Sequence, residues 1–565
     1  MVWPASARCA DEITPSRELV CIALLPRAGG RSMTPRSGAP AGGSGKASRL
    51  TPKVRRTFIA LLLAMAIAAM DYTIVSTALP TIVGEMGALT LLPWVLTANV
   101  LASTVTVPLY GKLSDLFGRR RLMHVAILLF VLGSCAAGLS QDIGQLIACR
   151  AVQGAGSAGL IALSYMIIGD MITPRQRGRY QAYISAVFAV TSVCGPLLGG
   201  LAVDHVSWRL AFFPSVVLAM ITLTVIRRNL VDPPMTRGIV VDWLGAALLA
   251  LGLTAILLVA SLGVDQYAWD SPVILATIAI GVLALVWFVR QEGKTPSPIL
   301  PLFLFRNREF SAVNATSFIS GFGLFLPLAY LPVFLQISLA MSATHSGLLL
   351  APMLTASLVG SLVSGRMVAR WGRYRSVVVA GTVLLGVGLV LLSTMSVSTS
   401  PAAAAAYLVV FGLSMGILIP VLILVIQNAV HPRDLGVATS SVQVFRQLGG
   451  STGVAMFGAL FNARLAGLLA DGLPPDSPVL GLDVSELVAS PAVVATMEPS
   501  VRDVIREAVA LSSSQMFRLA IPVAVAATIA GLMLRGLPLR DVPPDEQPGP
   551  AQPSGEGGPR PGRHL

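Results

Sequence analysis

The chain has 565 residues, 54% of them hydrophobic and 12% charged, with a mean hydropathy of +0.76. That composition excludes an ordinary soluble globular protein and leaves room for many membrane spans of about 20 residues. A net charge of +13 would suggest nucleic acid in a soluble chain, but the basic residues stand in short loops beside apolar runs, where they orient a protein in the bilayer.

In chain order, residues 1–52 are rich in Pro, Gly, Ser and Arg and read as a disordered cytoplasmic tail, with Met33 as an alternative start. Apolar runs of spanning length then follow at roughly 57–79, 92–110, 122–140, 145–168, 180–202, 210–226, 243–263 and 272–289. Six more lie at roughly 311–337, 346–368, 376–397, 402–427, 437–461 and 518–537, giving fourteen in all. Residues 462–517 read as a long outer loop, and 538–565, rich in Pro and Gly, as a disordered cytoplasmic tail. Alternate loops are strongly basic, from Lys112 and Arg119 to Arg121 in the first to Arg433 in the last. The short loops between them hold only Arg209. This alternation places the basic loops and both termini in the cytoplasm. Arginine greatly outnumbers lysine, which suggests GC-rich coding and a bacterial inner membrane.

The loop GKLSDLFGRRR (111–121) recurs 254 positions on as GRMVARWGRYR (365–375), with Ala369 in place of Asp115. TPRQRG (173–178) and HPRDLG (431–436) share Pro-Arg-x-x-Gly at an offset of 258. Two anchors at nearly one offset describe a duplicated membrane unit. The loops fall after spans 2 and 10, so two spans are inserted between two six-helix halves. The segments are then 53–228 for the first bundle, 229–309 for two accessory helices with their flanks, and 310–537 for the second bundle. The accessory pair is expected outside both bundles.

These residues resemble the major facilitator superfamily, and within it the fourteen-helix drug–proton antiporter branch. The loop at 111–121 matches the superfamily's signature loop, with Gly111, Asp115, Gly118, Arg119 and Arg120 in place. MDYTIVSTALP (70–80) is similar to the branch's first-helix signature, and RAVQGAGSAG (150–159) to its fourth-helix arginine motif. GPLLGG (195–200) is similar to the antiporter motif of the fifth helix, here Gly195, Pro196, Gly199 and Gly200. Ser76, Thr77, Asn99 and Thr191 depart from the branch's usual residues. The resemblance implies an all-α polytopic protein of the major facilitator fold, with alternating access between the halves. It also implies that the loop at Asp115 holds the outward-facing state.

Ionisable groups deep in a span are functional candidates because they are costly there. Asp71, Arg150 and Arg446 qualify, and Asn99 joins them as a polar group. Counted from the outer helix ends at about 1.5 Å per residue, Asp71, Arg150 and Asn99 lie roughly 8–13 Å deep, in one slab. Asp71 and Arg150 read either as a proton-coupling or substrate site or as a permanent ion pair between helices. Arg446 reads either as a site residue or as a partner of backbone carbonyls. Gly195, Gly199 and Gly200 would allow close helix contact, and Pro196 would remove a backbone donor. No Gly-x-x-x-x-Gly-Lys-Ser/Thr sequence occurs, which leaves ATP-driven transport unsupported. The reading is a non-enzymatic secondary transporter without cofactor. It would use the proton gradient to export small lipophilic molecules, neutral or singly charged, with the bilayer and protons as its partners and no obligatory protein partner. A metabolite facilitator or symporter and a non-transporting sensor are the alternatives.

Overall fold

A computed structural model describes residues 51–539, apart from 87–90, 206, 231–240, 266–268 and most of 475–490. The expected tail at 1–52 thus falls almost wholly outside the described residues, as does 540–565. The described chain is helical, without a strand. The first bundle holds α1 (Pro52–Met86), α2 (Leu92–Phe117), α3 (Arg119–Gly138), α4 (Ile143–Met171), α5 (Pro174–His205) and α6 (Phe213–Asn229). Next come α7 (Trp243–Asp265) and α8 (Pro272–Glu292). Then follow α9 (Arg308–Val333), α10 (Ala343–Trp371), α11 (Tyr374–Ser393), α12 (Pro401–Ala429) and α13 (Leu435–Gly472). The described chain ends with the short α14 (Pro491–Thr496), α15 (Pro499–Leu519) and α16 (Ile521–Leu532).

Among the described residues, thirteen segments are long and apolar enough to cross a membrane. The count of fourteen is not reached this way, because α2 is not among them, although its 26 residues extend about 39 Å. The expected outer loop at 462–517 needs correction. α13 runs on to Gly472, because Leu465 and Leu469 continue the buried stripe of Phe457 and Phe461. α15 begins at Pro499, buries Ile505, Val509 and Met516, and carries Arg502, Asp503 and Arg506 near its start. Averaged hydropathy hides such a one-sided helix. The last crossing is accordingly α15 with α16, Pro499–Leu532, since the 12 residues of α16 span only about 18 Å.

The duplication is visible in the packing. In the first bundle α1 packs on α5 and α6, α2 on α4, and α3 on α4 and α6. In the second, α9 packs on α13 and α16, α10 on α12, and α11 on α12 and α16. The bundles meet crosswise, α2 against α13 and α5 against α10, as a twofold arrangement of the two copies requires. The accessory pair is no isolated appendage: α7 packs on α8 and also on both α2 and α13, across the seam.

The glycines of the two sequence anchors make this seam. A Cβ on Gly111 would strike Ser440 and the Gly436 carbonyl, and one on Gly178 would strike the backbone of Gly365. Each anchor therefore touches the other type of anchor in the opposite bundle. The second glycines of the loops, Gly118 (φ 93°) and Gly372 (φ 65°), take backbone angles that other residues resist, and they turn α2 into α3 and α10 into α11. The polar N-caps are equally local, with Asp142, Ser271, Ser342 and Ser400 accepting from the first turns of α4, α8, α10 and α12.

Helix contacts inside a bundle depend on the same small residues. A Cβ on Gly449 of α13 would overlap the Phe318 carbonyl of α9, whereas Gly467 on the same helix has nothing within 4 Å. Gly449→Ala should therefore lower stability by about 1–3 kcal/mol. Gly467→Ala should leave it unchanged or raise it slightly through helix propensity. Thermal unfolding of the two variants in detergent reads the difference; equal midpoints would contradict this packing.

Candidate functional site

The structure brings Asp71, Asn99 and Arg150 together. Asp71 on α1 and Arg150 on α4 are both buried and form an ion pair, with Arg150 Nη1 2.7 Å from Asp71 Oδ2. Gln153, one turn along α4, completes the centre: its Nε2 donates to Asp71 Oδ1 at 2.6 Å and to Ser134 Oγ of α3 at 2.6 Å. Its Oε1 accepts from Arg150 Nη1. Both carboxylate oxygens are thereby engaged, while Arg150 Nε and Nη2 have no acceptor. Asn99 plays a different part from the one expected. Its side chain donates to the Arg150 carbonyl at 3.4 Å, and its backbone fills the space beside Gly154, so it joins α2 to α4. Gln153 and Ser134 were missed in the sequence. Gln153 stands three residues after Arg150, on the same helix face, which is the one signal that could have found it.

The antiporter-motif segment lies against α1. Gly195 is packed on Thr73, and Gly199 on Thr77 and Ile74. Gly200 has nothing within 4 Å, so tight packing accounts for two of its three glycines. The Pro196 side chain lies outside the described residues. Thr191, in the turn before, accepts from Thr73 Oγ1 through its carbonyl at 3.4 Å.

The hydrogen bonds between the bundles gather at the end bearing the basic loops. Asp115, past the apolar part of α2, pairs with Arg119 at 2.6 Å and accepts from Val437 N, at the start of α13, at 3.3 Å. A carboxylate at a helix N-terminus is favoured by the unpaired N–H groups there. Burial nevertheless pushes the Asp115 carboxyl up to about 6, with the Arg119 guanidinium pulling it back and Asp170 adding to the rise. Arg119 also pairs with Asp170 at 3.0 Å, which fixes the loop to the end of α4. Arg120 serves a different contact, donating to the Arg227 carbonyl of α6 at 2.8 Å. Gln427 of α12 was not singled out in the sequence, yet it closes the seam. It accepts from Arg177 Nη1 at 3.1 Å and donates to the Tyr165 carbonyl of α4 at 3.2 Å.

Arg446 lies apart from the Asp71 centre. Its backbone carbonyl abuts Gly321 of α9, and its guanidinium is within electrostatic reach of the Tyr165 phenol in the opposite bundle. No carboxylate pairs with it among the described residues, and its Nη1 has no hydrogen-bond partner, so the alternative of backbone carbonyl ligands fails for that atom.

Removing one partner of a buried ion pair costs about 3–5 kcal/mol, because the other charge stays behind. Arg150→Met should therefore destabilise the protein by that amount, and adding Asp71→Asn should recover much of it. Unfolding midpoints of both single variants and the double variant form the cycle that checks this; strict additivity would contradict the pairing.

Residues 61–454 match the family model described as Major Facilitator Superfamily. The chain is 35% identical over 446 residues to the multidrug transporter protein MdtP of Bacillus subtilis, covering 79% of this chain and 82% of that one. It is 32% identical over 403 residues to multidrug resistance protein 3 of the same organism, covering 71% and 78%. The proton:xylose symporter XylE, solved with 6-bromo-6-deoxy-D-glucose, superposes with a TM-score of 0.54 at 14% identity, covering 83% of this chain and 94% of that one; at such identity the likeness is one of fold. With the duplicated bundles, the crosswise seam and the match over most of its length, this chain belongs to the major facilitator superfamily.

Proposed function

We propose that the protein is a proton-coupled exporter of small lipophilic molecules in the bacterial plasma membrane, with the basic loops in the cytoplasm. The observation that carries the coupling is the single carboxylate Asp71, held between Arg150 and Gln153 inside the first bundle. The efflux assignment is supported by its similarity to the two multidrug proteins of B. subtilis. The positive-inside rule supports the orientation, since the basic loops share one end of the molecule.

The chemistry follows from the donors around Asp71. A proton on Oδ1 adds a donor facing the Gln153 amide N–H, so that hydrogen bond is weakened or displaced. Rotation of the Gln153 amide would offer Oε1 to the new O–H and withdraw that oxygen from Arg150. The guanidinium would then lose the Gln153 acceptor and face a neutral acid in place of a carboxylate, which weakens its hold on Asp71. The two protonation states therefore favour different arrangements of α1 against α4, and such differential preference is what allows a gradient to drive a conformational cycle. At the other end, release to the inward-facing state must break the Asp115–Val437 and Arg177–Gln427 bonds and part the glycine contacts.

Two outcomes are expected. Asp71→Asn, matched to wild type for membrane abundance, should abolish pH-gradient-driven accumulation of a lipophilic dye in inverted vesicles; undiminished accumulation would exclude Asp71 as the proton carrier. Asp115→Ala should raise the labelling of a cysteine at Ser440 by a thiol reagent applied from the cytoplasmic side, because the seam at Gly111 loses its tie to α13. Unchanged labelling together with unchanged transport would remove Asp115 from the gate.

A further inference from the structure

We infer that Arg446 is an anion-binding station for substrate, so that singly charged lipophilic anions are the preferred cargo; this rests on the export function proposed above.

The inference comes from comparing the buried and half-buried cations. Arg119 is met by Asp115, Asp170 and Ser114. Arg177 directs its three nitrogens to the carbonyls of Ile172 and Gly169 and to Gln427 Oε1. Arg150 has Asp71 and Gln153. Arg446 alone among these four has a guanidinium nitrogen buried without an acceptor and no carboxylate beside it. An unpaired charge away from water is costly, and the cost is removed when an opposite charge with acceptor oxygens arrives. A guanidinium presents paired N–H donors that match the oxygens of a carboxylate or sulfonate.

Its position suits cargo. Arg446 is half-buried and lies on α13 where that helix backs onto α9; α13 also packs on α4 of the opposite bundle, whose Tyr165 is within electrostatic reach of the guanidinium. It stands about two turns along α13 from Thr439, which accepts from Gln427 at the seam. The same interior offers a cation little. Asp71 is its one carboxylate deep in a span, and both of its oxygens already accept hydrogen bonds. Among the described residues in this interior, Arg150 Nε and Nη2 and Arg446 Nη1 lack acceptors while both oxygens of Asp71 are engaged, a balance that favours an anion over a cation. Phe318 and Phe322, whose rings pack edge to face on adjoining turns of α9, lie against Gly449 and Gly453 of the helix that carries Arg446 and offer apolar surface for an attached ring system.

The test uses a matched pair of probes on one ring system, naphthalene-2-sulfonate and 2-naphthyl-trimethylammonium, with the full-length protein. Equilibrium binding to detergent-solubilised wild type should favour the sulfonate at least tenfold. Arg446→Gln should reduce that preference tenfold or more, and Arg446→Lys, which keeps the charge but not the fork of donors, should retain part of it. A wild type that binds the ammonium as tightly as the sulfonate overturns the inference, and this measurement stands even if Arg446→Gln does not fold. A preference unchanged in a folded Arg446→Gln protein overturns it as well. Transport in proteoliposomes separates the two levels of the argument. Gradient-driven movement of the ammonium without the sulfonate leaves the exporter intact and rejects the anion station. Binding of the sulfonate through Arg446 without gradient-driven movement of either probe keeps the station and rejects the proton-coupled exporter.

Discussion

The fold depends on backbone meeting backbone at two glycine pairs, Gly111 with Gly436 and Gly178 with Gly365. Lipid removes the hydrophobic gain that holds soluble helices together, so close van der Waals approach becomes the main attraction between spans. Only residues without a Cβ permit that approach at these points. The two pairs are related by the duplication: the loop glycine of one copy meets the Pro-Arg-x-x-Gly glycine of the other. A seam built in this way is self-consistent. Any change that spreads one pair strains a copy of the same joint on the other side of the pseudo-twofold axis.

Electrostatics adds specific ties to this generic adhesion. Asp115 reaches the start of α13 only because Gly111 and Gly436 bring the helices close enough for a hydrogen bond of 3.3 Å. Arg177 reaches Gln427 under the same condition at the second glycine pair. The end bearing the basic loops therefore combines steric fit with a few polar contacts of a kind that water can replace.

Much of this was legible in the sequence because duplication and span hydropathy are long-range patterns. The repeated glycines, the six-plus-two-plus-six order and the shared level of Asp71, Asn99 and Arg150 along their helices all follow from counting residues. Contacts between helices are a different kind of information. Gln153, Ser134 and Gln427 are neutral polar residues, individually unremarkable in a span, and they acquire meaning only when tertiary packing sets them beside Asp71 or Arg177. Asn99 was legible as a polar group at the level of Arg150, but its orientation toward the backbone of α4 was not. The error at 462–517 has its own physical cause. α15 mixes charge and apolar stripe, so mean hydropathy falls while helical periodicity persists.

The polar centre and the gate share one physical element. α4 carries Arg150 and Gln153 toward one end and Tyr165, Gly169 and Asp170 at the other. Along its length Gly154 abuts Asn99 of α2, while Gly156 and Gly159 abut Phe130 and Ala126 of α3. These contacts make α2, α3 and α4 a tightly meshed group. α1 and α5 form a second group through Thr73, Thr77, Gly195 and Gly199. The two groups divide the glycine seam between them, with Gly111 belonging to the first and Gly178 to the second. Asp71–Arg150 is a buried charge pair running from one group to the other. A proton placed on Asp71 would therefore act on the joint between two units that each hold one glycine contact of the seam. Local chemistry at one carboxylate then has a mechanical route to both halves of the closed end, without any displacement having to be transmitted through a soft or loosely packed part of the bundle.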